Sequence, residues 1–573
     1  MTAQLSVQKL AETRRATLDR ALDAIRTRAY WSPHPEHPKA YGETGPAEGL
    51  AAFEALRGKR FELDQPGTDG WTGGETSPYG PALGIEYPHA DLDVLLPALR
   101  AGMPAWRAAG PETRALVCLE ILARISARTH EFAHAVMHTS GQAFVMALQA
   151  GGANAQDRGL EAVAYAYAEQ TRTPARADWS KPQGKREPLE MRKTFTPVPR
   201  GLSLLVGCNT FPTWNGYPGL FASLATGNPV LVKPHPRAVL PLALTVRVAR
   251  EVLAETGFDP NLVALAVERP GEGIAKELAV RPEIRIIDYT GSTAFGDWLE
   301  THARQAQVYT EKAGVNTVVI DSTDDYRGML GNLAFSLSLY SGQMCTTPQN
   351  LLIPRDGIDT DAGHKSYDEV VAGIAGAVDK LLGDDARASA LLGALVNPDV
   401  KARLEAAAEL GEVALASREV THPEFPDAVV RTPLIVKADG SRKGSEGSEG
   451  SEGSAHGSEA PYLAECFGPV SFAVAVESTG EAVELLRRTV REKGAMTVGA
   501  YTTSADVEVA IEEVCLEESA QLSLNLTGGV YVNQTAAFSD FHGSGGNPSA
   551  NAALCDAAFV ANRFRTVEVR RPA

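Results

Sequence analysis

From Leu5 to Arg28 apolar residues recur at helical spacing, with Leu10, Leu18, Leu22 and Ile25 on one stripe. The stripe runs into Trp31-Ser32-Pro33-His34-Pro35-Glu36-His37-Pro38, where prolines remove backbone donors and end any helix. Residues 1–60 therefore read as an N-terminal helical extension. Helical periodicity returns between about Leu92 and Gly152, and there Leu116, Leu119, Leu122 and Ile125 share a face. Beyond Pro197 the pattern changes. Short β-rich runs at Leu204–Val206, Val230–Val232, Leu262–Val267, Ile284–Ile287 and Asn316–Ile320 alternate with helical stretches, which predicts an α/β architecture with a parallel sheet and crossover helices. Ligands of such sheets gather at the carboxyl ends of the strands. Lys443–Ser454 repeats Gly, Ser and Glu with no apolar residue, so a disordered insertion near 441–459 is expected within one domain. At the end, Phe564–Arg570 alternates like an exposed strand that would pair with another subunit.

Composition narrows the function classes. With 573 residues the chain exceeds one ordinary core and should hold two or three domains. Its 54 basic and 71 acidic residues give a net charge of −17, which opposes binding to nucleic acid or anionic membranes. The six cysteines have no paired short spacing, as expected of reduced thiols in a cytoplasmic protein rather than a disulfide framework or metal knuckle. No apolar run approaches the roughly 20 residues that span a bilayer.

Candidate chemistry centres on Gly342-Gln343-Met344-Cys345, a turn that presents one thiol, and on Glu311 upstream in Tyr309–Gly314. Together they suit covalent catalysis at a carbonyl. Asn209-Thr210-Phe211-Pro212 precedes a helical stretch, and Val230–Val232 delivers Lys233 at the end of a buried strand, where a ribose or phosphate would sit. Thr290-Gly291-Ser292, with Gly296 beyond, makes a strand-to-helix turn whose amides could approach a pyrophosphate, although no Gly-X-Gly-X-X-Gly fingerprint is present. Cys466, between Glu465 and Phe467, reads as packing. His130-Glu131-Phe132-Ala133-His134, with His138 one turn on, matches the short zinc-protease helix pattern. No Gly-X-X-His extension follows it, so an amphipathic helix is the expectation and a zinc peptidase the remote alternative.

In their order, these segments resemble the aldehyde dehydrogenase superfamily from about Pro66 to the C-terminus. The resemblance rests on Asn209–Pro212, Ala225–Lys233, Thr290–Ser292, Glu311, Gly342–Cys345, Glu465–Val470 and Val532-Asn533. Tyr30–Pro33 and Asn209–Leu220 are most similar to its phenylacetate-degradation members, the PaaN type. It implies two Rossmann-type α/β domains: an NAD(P)-binding domain at 61–309, a catalytic domain at 310–548, and an oligomerisation segment at 549–573 in a homodimer or homotetramer. It also implies Cys345 as nucleophile, Glu311 as base for hydrolysis of a thioester, and Asn209 as oxyanion donor unless Thr210 takes that place. Lys233, Thr290, Gly291, Ser292, Gly296, Glu465 and Phe467 would hold the cofactor. The substrate implied is an aldehyde, in the narrower likeness a CoA-linked semialdehyde. An acylating enzyme that passes the acyl group to CoA is the near rival, disfavoured by Glu311. Three departures stand out. Pro236 replaces the glutamate that selects NAD, and with Arg237 nearby this favours NADP over NAD. Lys312-Ala313-Gly314 replaces Leu-Gly-Gly, and Phe541–Asn547 replaces the usual Pro-Phe-Gly-Gly loop.

Overall fold

The computed structural model describes residues 5–440 and 460–573, so the expected insertion at 441–459 lies outside the described residues. The first helix is Val7–Thr27, opened by Ser6, whose Oγ accepts the Lys9 N–H at 3.2 Å. Leu10 and Leu18 are fully buried, while Leu22 and Ile25 pack at the margin of the same core. The expected helical region from 92 to 152 is five consecutive segments, Leu92–Ala101, Met103–Ala108, Gly110–Ala127, Thr129–Ser140 and Phe144–Leu148. Leu116, Leu119, Leu122 and Ile125 are buried as one face of the third.

Five parallel strands form the first sheet, in the spatial order 263–265, 230–233, 202–206, 284–290, 307–311. The chain winds outward from Leu202–Val206 in one direction and then places Ile284–Thr290 on its other side. That reversal opens a crevice between the carboxyl ends at Val206 and Thr290, where such sheets bind ligands. Asn316–Ile320, grouped by its composition with these strands, belongs elsewhere. Thr317–Ile320 lies inside a second, seven-stranded sheet ordered 412–415, 434–439, 470–476, 350–354, 317–320, 498–501, 522–524. A buried apolar run looks the same whichever sheet receives it, so the sequence pattern does not assign it. All pairings in the second sheet are parallel except that of the edge strand Glu412–Leu415.

The two sheets meet end to end. Glu311 is the last residue of the first sheet's outer strand, whereas Cys345 and Glu465 lie in the loops leading into Asn350–Pro354 and Val470–Val476, at the amino ends of the second. Loops from both sheets thus converge on one place.

A third sheet pairs a hairpin not anticipated from the sequence, Arg176–Gln183/Arg186–Pro199, with Phe564–Pro572, the expected terminal strand, which pairs here within its own chain. Its strands are largely exposed, so no buried face imprints an apolar alternation on them. Just before the last strand, Arg563 is fully buried and grips Asp288 through Nη2–Oδ1 at 2.6 Å and Nη1–Oδ2 at 2.8 Å. Its guanidinium lies against Tyr309 and Phe559 and also donates to Ser223 Oγ at 2.8 Å. The C-terminal segment is pinned in this way beneath the strand that ends at Thr290. Among the described residues no helix is long and apolar enough to cross a membrane.

Candidate active site

The nucleophile turn is built by conformation first. Tyr340, Ser341 and Gly342 all have positive φ, at 52°, 51° and 64°, which turns the chain sharply after helix Tyr326–Ser338. Only Gly fits at 342, because a Cβ there would penetrate the Gly468 carbonyl oxygen. The two strained non-glycine residues are held by buried bonds: Tyr340 Oη donates to the Ser140 carbonyl, and Ser341 Oγ lies 3.1 Å from the Arg431 carbonyl. Gln343, fully buried, donates from Nε2 to the Tyr340 and Ala394 carbonyls and accepts the Val396 N–H. Downstream, Asn316 Nδ2 donates to the Cys345 carbonyl at 2.8 Å, and Thr346 Oγ1 donates to that of Asn533 at 2.7 Å. Cys345 is therefore presented by a loop fixed on both sides.

Around its sulfur three groups converge. Glu311, 5 % exposed, sends Oε1 to within 3.1 Å of His542 Nε2 and accepts Asn215 Nδ2 on Oε2 at 2.9 Å. His542 Nε2 also lies 3.5 Å from Cys345 Sγ. Burial and then the Glu311 charge push the Cys345 thiol well above its usual range. Burial would raise Glu311 too, but the neighbouring His542, with hydrogen bonds from His542, Cys345 and Asn215, holds it below the ordinary carboxylate value. Cys208, pushed up to about 11 by burial, donates to Asn215 Oδ1 at 3.7 Å.

Cys345, Phe211 and Asn215 line two cavities at once. One, of about 620 Å³, runs along the carboxyl ends of the first sheet past Lys233, His235, Pro236, Glu268, Thr290, Gly291, Ser292, Glu465 and Phe467. The other, of about 510 Å³, is walled mainly by apolar and aromatic side chains, among them Met146, Trp214, Phe335, Leu339 and Tyr531.

Most of the expected residues thus gather around one thiol, with particulars of their own. Asn209 lines only the cofactor-side cavity, and its Nδ2 donates to the Thr139 carbonyl at 3.1 Å. Gly296 lines neither cavity. Its missing Cβ instead makes room for the stem of Lys312, which reaches Asp297 at 2.8 Å. Cys466 packs against the second sheet's core, with its N–H on Gln349 Oε1 at 2.7 Å. His130, His134 and His138 pack against Tyr41, Phe53 and Phe144, and Glu131 is paired with Arg128 and Arg247. No metal-ligand group of three forms there among the described residues.

Three groups escaped the sequence reading. Asn215 stood in the quoted run after Pro212. Glu268 follows immediately on the strand-like run 262–267, a place that sheets of this kind give to ligands. It pairs with Lys233 Nζ at 2.5 Å and accepts the Ile274 N–H at 3.1 Å. His542 lay within the unusual loop 541–547, whose departure was the available signal.

Comparison with known proteins agrees with this geometry. The aldehyde dehydrogenase family profile matches residues 86–437. The crystal structure of an NAD-dependent aldehyde dehydrogenase from Burkholderia multivorans is 56% identical over 98% of this chain and 99% of that one, with a TM-score of 0.94. A Thermus thermophilus 1-pyrroline-5-carboxylate dehydrogenase shares the fold at 17% identity and a TM-score of 0.70, across 95% of this chain and 99% of its own. The 1-pyrroline-5-carboxylate dehydrogenase of Bacillus subtilis is 26% identical over 59% of this chain and 64% of its own length. That of Bacillus licheniformis is 28% identical over 46% and 48%, so the chain spans less than two thirds of these curated relatives.

Proposed function

This chain belongs to the aldehyde dehydrogenase family, and from that premise we propose that it oxidises an aldehyde to a carboxylic acid with a nicotinamide dinucleotide as hydride acceptor. The carrying observation is that Cys345 lies at the junction of two cavities. One has the chemistry of a dinucleotide site and the other that of an apolar substrate pocket.

The residues fit the cofactor. Thr290, Gly291 and Ser292 line the cavity at the turn after the strand, Lys233 and Glu268 stand where a ribose would lie, and Glu465 and Phe467 line the same cavity as the thiol. Bound there, the nicotinamide would accept a hydride. The chain's own residues do the rest. Cys345 Sγ attacks the aldehyde carbon, and the oxyanion takes the Cys345 backbone N–H. Asn215, lining both cavities, is better placed than Asn209 to supply the second donor. After oxidation to a thioester, Glu311 takes a proton from the attacking water.

For the acceptor, Glu268 alters the balance that Pro236 suggested. A buried carboxylate on Lys233 would accept ribose hydroxyls and repel a 2′-phosphate, while burial pushes His235 down to about 4, leaving it neutral. These groups support NAD over NADP, in keeping with the NAD dependence of the Burkholderia protein. Glu268→Gln should raise the kcat/KM ratio of NADP to NAD by about ten-fold or more. An unchanged ratio would remove Glu268 from cofactor choice.

Glu465 predicts a pH effect. Burial, only partly offset by the Gly314 N–H and Arg403, pushes its carboxyl up to about 7. Ribose hydroxyls donate better to the ionised form, so cofactor affinity should rise as pH increases through about 7. Glu465→Gln should flatten that profile and weaken binding about ten-fold at pH ~8. Titration of cofactor fluorescence against pH reads both.

The substrate-side cavity supports an aldehyde with an apolar or aromatic body. Its titratable lining includes Glu36 and Asp540, and neither Lys nor Arg. The CoA-linked semialdehyde of phenylacetate breakdown, which the PaaN likeness suggested, is the second reading. It would have to keep its phosphates clear of those carboxylates. Phe564–Pro572 forms an edge of the third sheet, where a second copy could add to make a dimer or tetramer. The decisive assay is reduction of NAD and NADP across aliphatic, aromatic and CoA-linked aldehydes. Failure to oxidise any of them would overturn the proposal.

A further inference from the structure

We infer that His542 is a catalytic residue of this site: its Nε2 takes the proton of the Cys345 thiol as the nucleophile forms and returns it to the sulfur when the acyl group leaves. Four observations point there. The Nε2 atom sits between the two reacting groups, 3.5 Å from Cys345 Sγ and 3.1 Å from Glu311 Oε1. The ring is 2 % exposed, and its Nδ1 has no hydrogen-bond partner among the described residues, so its polar contacts there are confined to the catalytic side. Glu311 alone would oppose ionisation of the sulfur, since a carboxylate beside a thiol disfavours the thiolate. An imidazolium between them reverses that sign.

The loop that carries His542 is also braced. Its N–H and carbonyl both bond Leu554, and its ring meets Trp214 edge to face at 4.6 Å. Buried Arg158 donates to the carbonyls of Asp540 and Leu554 and to Thr535 Oγ1, while Glu161 accepts the Phe538 N–H. The N-terminal extension completes the brace: Arg28 pairs with Glu161 at 3.0 Å and lies over Phe541, and Trp31 packs on Phe538. The ring is thereby held within reach of both groups before any substrate arrives.

The proton balance closes without another reactant. With the neutral ring's proton on Nδ1, Nε2 offers its lone pair to the thiol; thiol and imidazole become thiolate and imidazolium, whose new Nε2–H then donates to Glu311. The thiolate forms the C–S bond as the carbonyl electrons move to oxygen; a bound nicotinamide would take the hydride that this carbon then gives up. Water adds to the thioester and gives its proton to Glu311. Collapse breaks the C–S bond, and the imidazolium proton returns to sulfur. Glu311 and the product acid each release one proton to solvent. The charged or titratable groups facing this centre are Glu311 and Cys345 at Nε2, Asp540 on the same loop, and Arg158 behind Trp214. Cys208 and Glu465 act on Cys345 from further away.

The oxidation steps rest on the aldehyde reading; the ionisation step does not. The test is therefore alkylation of Cys345 by iodoacetamide in the cofactor-free protein as a function of pH, scored by intact mass, with Cys345→Ala to identify the site. His542→Gln retains a polar side chain but cannot take a proton, and His542→Phe removes the group entirely. Both should alkylate at least about ten-fold more slowly near pH 7, with the midpoint moved upward by about one pH unit or more. Equal rates and an unchanged midpoint in a folded His542→Gln protein would overturn the assignment. So would a change in melting temperature alone. If no aldehyde is ever turned over, the alkylation result still decides the role of His542.

Discussion

Replacing Cys345 by alanine is expected to abolish both the first turnover and every later one, whereas Glu311→Gln should keep the first and lose the rest. With the sulfur gone, no thioester can form at the junction of the two cavities, and kcat/KM should fall by at least about 10³-fold while cofactor still binds. With Glu311 neutral the thiol loses its repelling neighbour and His542 can still take its proton, so the thioester still forms. Attack by water then lacks its base, and steady turnover should drop about 10²- to 10⁴-fold. Rapid mixing separates the two, since Glu311→Gln should give a burst of reduced cofactor approaching one per Cys345. A missing burst would shift Glu311 toward activation of the thiol, and undiminished steady turnover would place the base elsewhere. Because Glu311 is held below the ordinary carboxylate range, its share of activity should persist on mild acidification and be lost only as pH falls through that lowered value.

The second large effect concerns stability. Asp288→Ala would leave Arg563, fully buried, without its bidentate partner. Removing one member of a buried pair costs about 3–5 kcal/mol, because the remaining charge stays desolvated. The urea midpoint should fall accordingly. Asp288 lies two residues before Thr290, and Gly219 on the neighbouring helix has no room for a Cβ against it. Loosening this contact should therefore weaken cofactor binding as well. A shift worth under about 1 kcal/mol would show that Ser223 and the aromatic rings suffice to hold the guanidinium.

The parts of the site legible in sequence were those whose chemistry is carried by a short run. Gly342–Cys345 is one, because Gly342, Gln343 and Cys345 are all demanded by a single turn: a left-handed backbone, a buried amide that ties the loop at both ends, and a sulfur set where two cavities meet. Lys233 and Thr290–Ser292 are others, since each follows a buried strand whose apolar run is itself visible. Gly296 illustrates the limit. Its glycine was read as room for a cofactor and proves to be room for Lys312, a residue of a separate strand end. The hairpin at 176–199 escaped because it buries too little to leave a periodic trace.

Sequence alone determined the elements that bury an apolar face and which thiol and carboxylate are candidates, because periodicity, turn chemistry and ordered motifs are local properties of the chain. Only the tertiary structure decided which sheet receives Thr317–Ile320, that Glu268 pairs with Lys233, and that His542 stands between Cys345 and Glu311. The two side-chain pairs at Lys233 and Glu311 join residues 35 and 231 positions apart. No local pattern encodes them; they exist because strands distant in sequence become neighbours in a sheet and because the carboxyl ends of one sheet face the amino ends of another.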